Sequence, residues 1–462
     1  MSEFFWIAKL SWFVRDALIA IFLVAMAAAG AYTLSESSYI ITIISILAII
    51  ALVTANRLHH LSIWVWMISA SLILSTTMLG HYIVGSDIHG EYFIANQGFD
   101  SSLKNTNNTS VLLVFICPAL KFIGISVVWQ FKLLFPLLYS LVPVILYFAF
   151  KKQIGGIKSF FAVLFFMIVP MFFIEITQIE KSMIAEIFLA LMVYVIASKE
   201  ITGFKKHLLL VFCAIMATLC HYTIGIISCM ILAGLYSVPF VCNAIKVKAI
   251  RLPYRNVKWA TVPLVGLLAT FFVWFGMIGD GFMLTYFNDV AHNTAHYAQV
   301  PFKDVTISPT IIDQTLVSTG EPTPTVTPTV APNATVQPIT TKSIGLSYMG
   351  KQEPLVRTAV GLDFFDSSLQ GKVFRIVQYL TQALIVIGFL FLLWKYKQYN
   401  FTPEFIGCSA TAFAIILCVV FVPSFSSLIN ASRWYQGMLF FLAPMFVVGI
   451  DQLCRVKENS YT

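Results

Sequence analysis

The stretch "VLLVFICPALKFIGISV", residues 111–127, decides how this chain is threaded. It is apolar and close to the length needed to cross about 30 Å of hydrocarbon. Pro118 removes a backbone donor near its middle, and Lys121 puts a charge where a span would be buried. If the segment crosses, every later loop changes side. If it dips and returns, none does.

The flanking charges choose between the two. Short cytoplasmic loops retain Lys and Arg. With 111–127 as a non-spanning hairpin and the N-terminus inside, Arg57, Lys151, Lys152, Lys158, Lys199, Lys205, Lys206, Lys246, Lys248, Arg251, Arg255, Lys258, Lys395 and Lys397 all fall inside. The short outer loops then hold only Lys104, Lys121, Lys132, Lys181 and Arg433. A full crossing would send the basic loops 151–158 and 246–258 outside. The expected topology is therefore an all-α polytopic membrane protein of about twelve transmembrane helices, with both termini cytoplasmic and a re-entrant segment near 111–127.

Composition agrees. Hydrophobic residues make up 59% of the 462 and charged residues 11%, against about 25% charged in soluble proteins. The expected spans are 17–34, 38–54, 61–83, 132–150, 157–174, 183–199, 206–222, 223–242, 260–279, 374–395, 403–424 and 435–453. The first carries "AMAAAGA", which looks like a cleavage region but, with eleven spans behind it, reads as an uncleaved helix. Four units follow: a three-helix segment 1–83; a core 84–279 containing the first outer loop; a long outer loop 280–373 with a Thr/Pro-rich tract at 306–342; and a three-helix segment 374–462. Sequons at Asn107, Asn108, Asn333 and Asn430 fall outside on this topology. The eight cysteines show no CxxC spacing and read as packing residues.

The polar residues then sort by side, and the chemistry gathers outside. "VGSDIHGEYFIANQGF" (84–99) carries Asp87, His89 and Glu91 at the membrane boundary. Asp87 and Glu91 are four apart and share a face if the segment is helical; a helix cap would look the same. "FIEITQIEKSMIAEIF" offers Glu180 and Lys181 at a short outer turn, whereas Glu175 and Glu186 read as solvated turn residues beside a local Glu180–Lys181 pair. "CHYTIG" places His221 and Tyr222 at a tight helical hairpin. "NASRWYQG" places Arg433 at the start of the last span, as a phosphate ligand or as an interfacial anchor beside the Trp434–Tyr435 belt. "DVAHNTAH" has an H-x3-H spacing at His292 and His296 but no third metal ligand. No Walker A, dinucleotide or Gly-x-Ser-x-Gly motif is present, and the basic residues follow topology instead of forming a nucleic-acid surface.

The pattern resembles the GT-C superfamily of integral-membrane glycosyltransferases. More narrowly, "DIHGEYF" (87–93), "FKLLFPLLYSLVPVILY" (131–147), "CHYTIG" (220–225) and "SRWYQGMLFFLAP" (432–444) resemble a family of archaeal multi-spanning proteins expected to be such enzymes. The resemblance covers most of 84–279 and 374–453. It implies a polyprenyl- or dolichyl-phosphate-linked sugar donor, a glycan, lipid or protein acceptor, and a site facing out of a prokaryotic plasma membrane. It also implies Asp87, with Glu91 second, as catalytic base or as ligand to a divalent cation, Mg or Mn. His89, Glu180, Lys181, His221, Tyr222 and Arg433 would bind substrate or phosphate. Asp87 follows the third expected span here, whereas many GT-C enzymes place this residue after the first. The rival expectation is a transporter or flippase for a lipid-linked or polar solute, which should bury ionisable pairs near the bilayer centre.

Overall fold

The computed structural model describes residues 60–85, 87–97, 110–244, 369–394, 398–421 and 429–459, with a few isolated positions in 21–28 and 265–273. The expected span 38–54, most of 17–34 and of 260–279, the long outer loop and the His292/His296 spacing lie outside them.

Every regular element among the described residues is helical. In chain order these are α1 (Leu61–Thr77), α2 (Asp87–Gln97), α3 (Leu112–Phe122), α4 (Val127–Ile154), α5 (Gly156–Ile168), α6 (Met171–Gln178), α7 (Glu180–Ala197), α8 (Gly203–Cys220), α9 (Tyr222–Ala244), α10 (Leu369–Trp394), α11 (Pro403–Phe421) and α12 (Ala431–Asn459). Five are long and apolar enough to cross a membrane: α4, α8, α10, α11 and α12. The pair α5 and α6 makes a sixth if it counts as one span bent by 59°. The bend falls at Val169–Pro170, where proline cannot continue the amide ladder and drives the residue before it out of helical geometry (Val169 ψ 126°).

Residues 111–127 do not form one straight span. Helix α3 stops at Phe122, Gly124 turns the chain with φ +97°, and α4 starts at Val127. A positive φ of this size suits only glycine without strain. Gln130 closes the turn by donating its side-chain amide to the carbonyls of Ile125 (2.8 Å) and Cys117 (3.1 Å). Helix α1 is shorter than the expected 61–83. It ends at Thr77, and Gly80 (φ +59°) turns the next residues into a loop. The loop is held by Lys132, whose buried ammonium donates to the carbonyls of Gly80 (2.9 Å) and Tyr82 (2.7 Å).

Helices α7, α4, α5 and α12 form the centre of the bundle, with α10 and α11 packed on α12 and α9 on α11. The α10–α12 crossing is glycine-dependent. A Cβ on Gly388 would sit 1.9 Å from the Met445 carbonyl oxygen, and one on Gly449 would sit 2.2 Å from that of Leu384. Small residues let backbones approach this closely without any polar group between them.

The charges segregate to two ends. One end gathers Lys152 with Glu200 (3.1 Å), Lys158 with Asp451 (2.8 Å), Lys206 with Glu404 (3.9 Å), and Lys199 with Asn400. The other gathers the first residues of α2, α7, α9 and α12, and the acidic groups singled out above.

Candidate functional site

Each group at this second end is placed by a helix start. In α2, Ile88, Glu91, Ile94 and Ala95 are buried while Asp87 and His89 are exposed. The helix therefore turns Glu91 inward and leaves Asp87 at the rim. At α12, Asn430 closes the helix start: its backbone carbonyl accepts from the Arg433 and Trp434 amides, and its side chain accepts from the Ser432 amide at 3.4 Å. His221 interrupts α8 and α9 in an extended conformation (φ −152°, ψ 123°), which makes the tight hairpin.

Two carboxylate–cation pairs result. Arg433 Nη2 lies 3.1 Å from Asp87 Oδ2. Lys181 engages Glu91 twice. Its backbone amide donates to Oε2 at 3.3 Å, and its Nζ stands 3.4 Å from Oε1, an ion pair not aligned as a hydrogen bond. Glu91 thus supplies a carboxylate to the N-terminus of α7, where free amides and the helix dipole favour negative charge. Asp87 and Glu91 lie on one short helix yet take different partners.

His221 is buried, and both Lys181 and Arg433 are within electrostatic reach of it. Its Nδ1 has no hydrogen-bond partner among the described residues, and the Tyr222 ring lies 4.9 Å away. Glu180 is fully buried and also leaves both carboxyl oxygens unpartnered. Both Glu91 and Glu180 lie ahead of the apolar run 183–199. Burial pushes the Glu91 carboxyl up, and Lys181 offsets only part of that. Burial, then the Glu91 charge, pushes Glu180 well above the carboxylate range. Helix α3 packs against α2, and Cys117 feels the charges of both Glu91 and Glu180. Ser110 fastens the start of this hairpin to the α8–α9 turn through the Cys220 carbonyl (2.6 Å).

Asp87, Glu91, Lys181, His221, Tyr222 and Arg433 are therefore gathered from α2, α7, the α8–α9 turn and α12, with Glu180 behind Glu91. His89 is exposed, and no hydrogen bond or ion pair joins it to the others.

Three sequence expectations are corrected. Lys181 pairs with Glu91 and not with its neighbour Glu180. Glu186 is no solvated turn residue: it is buried and accepts a 2.9 Å hydrogen bond from Tyr139. Trp434 is no interfacial anchor, because it is fully buried in the core. Two contacts were missed in the sequence. Ser432 donates to Glu175 at 2.5 Å, and Lys132 lines a cavity of about 250 Å³ next to α2 with Thr76, Thr77, Ile83, Ile88 and Gln178. Lysine in a mostly apolar run is the one hint at the second.

A divalent cation does not fit these residues. No three His, Cys, Asp or Glu side chains among the described residues stand together in a way that could hold one. Asp87 and Glu91 are each engaged by a cation already.

Residues 360–460 match a family model described as a predicted membrane protein (DUF2206). No curated protein and no solved structure matches the chain. The DUF2206 match contains α10, α11 and α12, and so Gly388, Gly449 and Arg433. Asp87, Glu91, Lys181 and His221 lie outside it. With the five apolar helices, it supports an integral membrane protein.

Proposed function

We propose that this protein is a membrane glycosyltransferase of GT-C type. It moves a sugar from a polyprenyl- or dolichyl-phosphate donor to an acceptor hydroxyl on the extracytoplasmic face, through a bundle of about twelve spans with both termini inside. The carrying observation is the 3.1 Å contact between Asp87 and Arg433 beside the Glu91–Lys181 pair. It sets an exposed carboxylate next to cations from two other helices.

Such an arrangement has the parts that direct displacement requires. Asp87 takes the proton of the acceptor hydroxyl, whose oxygen attacks the anomeric carbon. The bond from that carbon to the phosphate oxygen breaks, its electron pair leaves with the phosphate, and the configuration inverts. Arg433 and Lys181 neutralise the departing phosphate, with His221 as a further donor. The cavity beside Ile88 gives an apolar recess one residue from the proposed base.

The transporter reading has one observation in its favour, the buried Glu186–Tyr139 pair. Glu186 lies six residues into α7 from Glu180, roughly 9 Å along the axis at 1.5 Å per residue. That keeps it close to the mouth and away from the bilayer centre, where alternating access needs its site.

Purified protein and the Asp87→Asn variant, each assayed for transfer from a polyprenyl-phosphate sugar, separate the two. Transfer by the wild type that the variant loses supports the enzyme. Solute movement in liposomes with no transfer from any such donor overturns it.

A further inference from the structure

The mechanism above leaves Glu180 without a task. Glu180 is the first residue of α7, is fully buried, and has two carboxyl oxygens without a partner. The titratable groups that act on it or feel its charge are Glu91 on α2 and Cys117 on α3, with Lys181 next to it on its own helix; His221 at the α8–α9 turn feels Lys181 and Arg433.

The cations do not go round. Glu91 takes both the Lys181 amide and the Lys181 ammonium, with a smaller contribution from the Glu180 amide itself. Arg433 is committed to Asp87 at the rim. One part-buried ammonium therefore serves two buried carboxyls, and two like charges in a dry site with one counter-ion are not both held.

We propose that Glu91 and Glu180 form a unit holding a single proton, with Glu91 as the carboxylate and Glu180 as the neutral acid. The assignment follows the cation, which sits on Glu91. Burial and the Glu91 charge both act on Glu180 in the direction that retains its proton. The Glu180 O–H is then a donor with no acceptor among the described residues. At the α8–α9 turn, His221 Nδ1 and the buried Thr223 hydroxyl are also unpartnered among the described residues. Three such groups answer a ligand whose oxygens both donate and accept, as sugar hydroxyls do. That ligand identity rests on the transferase reading; the proton does not.

The test reads the proton directly. Infrared titration of the detergent-purified protein follows the C=O stretch of protonated carboxyls. At neutral pH the wild type should show a stretch that Glu180→Gln lacks. In Glu91→Gln, the midpoint for the Glu180 stretch should fall by about one pH unit or more, because a like charge is gone and Lys181 is freed. Should Glu180→Gln not be recovered folded, Glu180→Asp reports the same group by moving the band. A neutral-pH stretch unchanged by substitution at Glu180 overturns the proposal, as does a Glu91→Gln midpoint that stays in place. Neither result depends on a donor or on turnover, so it stands or falls apart from the transfer assay.

Discussion

Arg433 and Asp87 are 346 residues apart in sequence and 3.1 Å apart in space. The contact joins the first turn of α2 to the first turn of α12, and it joins the part of the chain matched by DUF2206 to the part that is not. Asp87 is also well placed to meet solvent, since its side chain is 55% exposed against 25% for Arg433. A pair so open contributes little to folding, about 0–1 kcal/mol. If the pair is there for stability alone, its removal should hardly matter.

The first prediction follows from that contrast. Asp87→Asn should leave the thermal midpoint within a few degrees of wild type while transfer falls by about 10²–10⁴-fold, the range for a lost general base. Arg433→Gln should lower transfer with a comparably small change in stability. A large drop in midpoint with activity intact would make the pair structural.

The Glu91–Lys181 pair should behave in the opposite way, because Glu91 is buried and Lys181 is only 12% exposed. Lys181→Met leaves the Glu91 carboxyl without its counter-ion, and breaking a buried pair on one side costs about 3–5 kcal/mol. Lys181→Met combined with Glu91→Gln should recover much of that loss, since the double variant strands no charge. Denaturant or thermal unfolding of the three variants gives the coupling directly. Strict additivity would contradict the pairing.

Stability should also fall with rising pH. Glu91 and Glu180 are both held above the ordinary carboxylate value of 4.5. The folded protein therefore binds more protons than the unfolded chain, and the slope of unfolding free energy against pH is negative. Their contribution is complete below 4.5 and is lost as pH climbs through the raised values. Glu91→Gln and Glu180→Gln should each flatten the fall. The measurement is the wild-type-minus-variant difference in midpoint above pH 4.5, and a difference that grows in the wild type's favour as pH rises would reverse the sign.

How much of this was legible in sequence depends on range. The break in 111–127 was readable because Pro118 and Lys121 are local signals and the flanking basic loops fix which side the chain returns to. The bend at Pro170 carried a signal of the same kind, but an apolar run on both sides hid it within one expected span. Segregation of Lys152, Lys158 and Lys206 to one end was readable from charge counting. That Asp87, Glu91, Lys181 and Arg433 stand at one end was readable too, since helix starts at the same end of a bundle must lie near one another. The pairing was not. Lys181 stands next to Glu180 in sequence, yet Glu91 caps its helix from another element, and only the packing of α2 decides that. Glu186 looked like a turn residue because nothing local reveals that Tyr139 faces it.

The last prediction concerns the contact that holds the matched region together. Gly388 and Gly449 bring α10 and α12 to backbone contact, with a Cβ at either position landing 1.9–2.2 Å from a carbonyl oxygen of the other helix. Those oxygens belong to backbone and cannot rotate away as a side chain would, so the helices must separate. Overpacking of this kind costs about 1–3 kcal/mol, and in Gly388→Ala it should appear as a lower midpoint. Gly388→Leu should cost more, because a larger side chain enters the same gap. The two glycines share one crossing, so Gly388→Ala with Gly449→Ala should cost less than the sum of the singles. Helix α12 also carries Arg433, which lies near its start, about 24 Å along the axis from Gly449 at 1.5 Å per residue. A separation at Gly449 is therefore remote from Asp87, and transfer per folded molecule should stay near wild type in Gly449→Ala. Loss of activity with an unchanged midpoint would show instead that α10 positions the site.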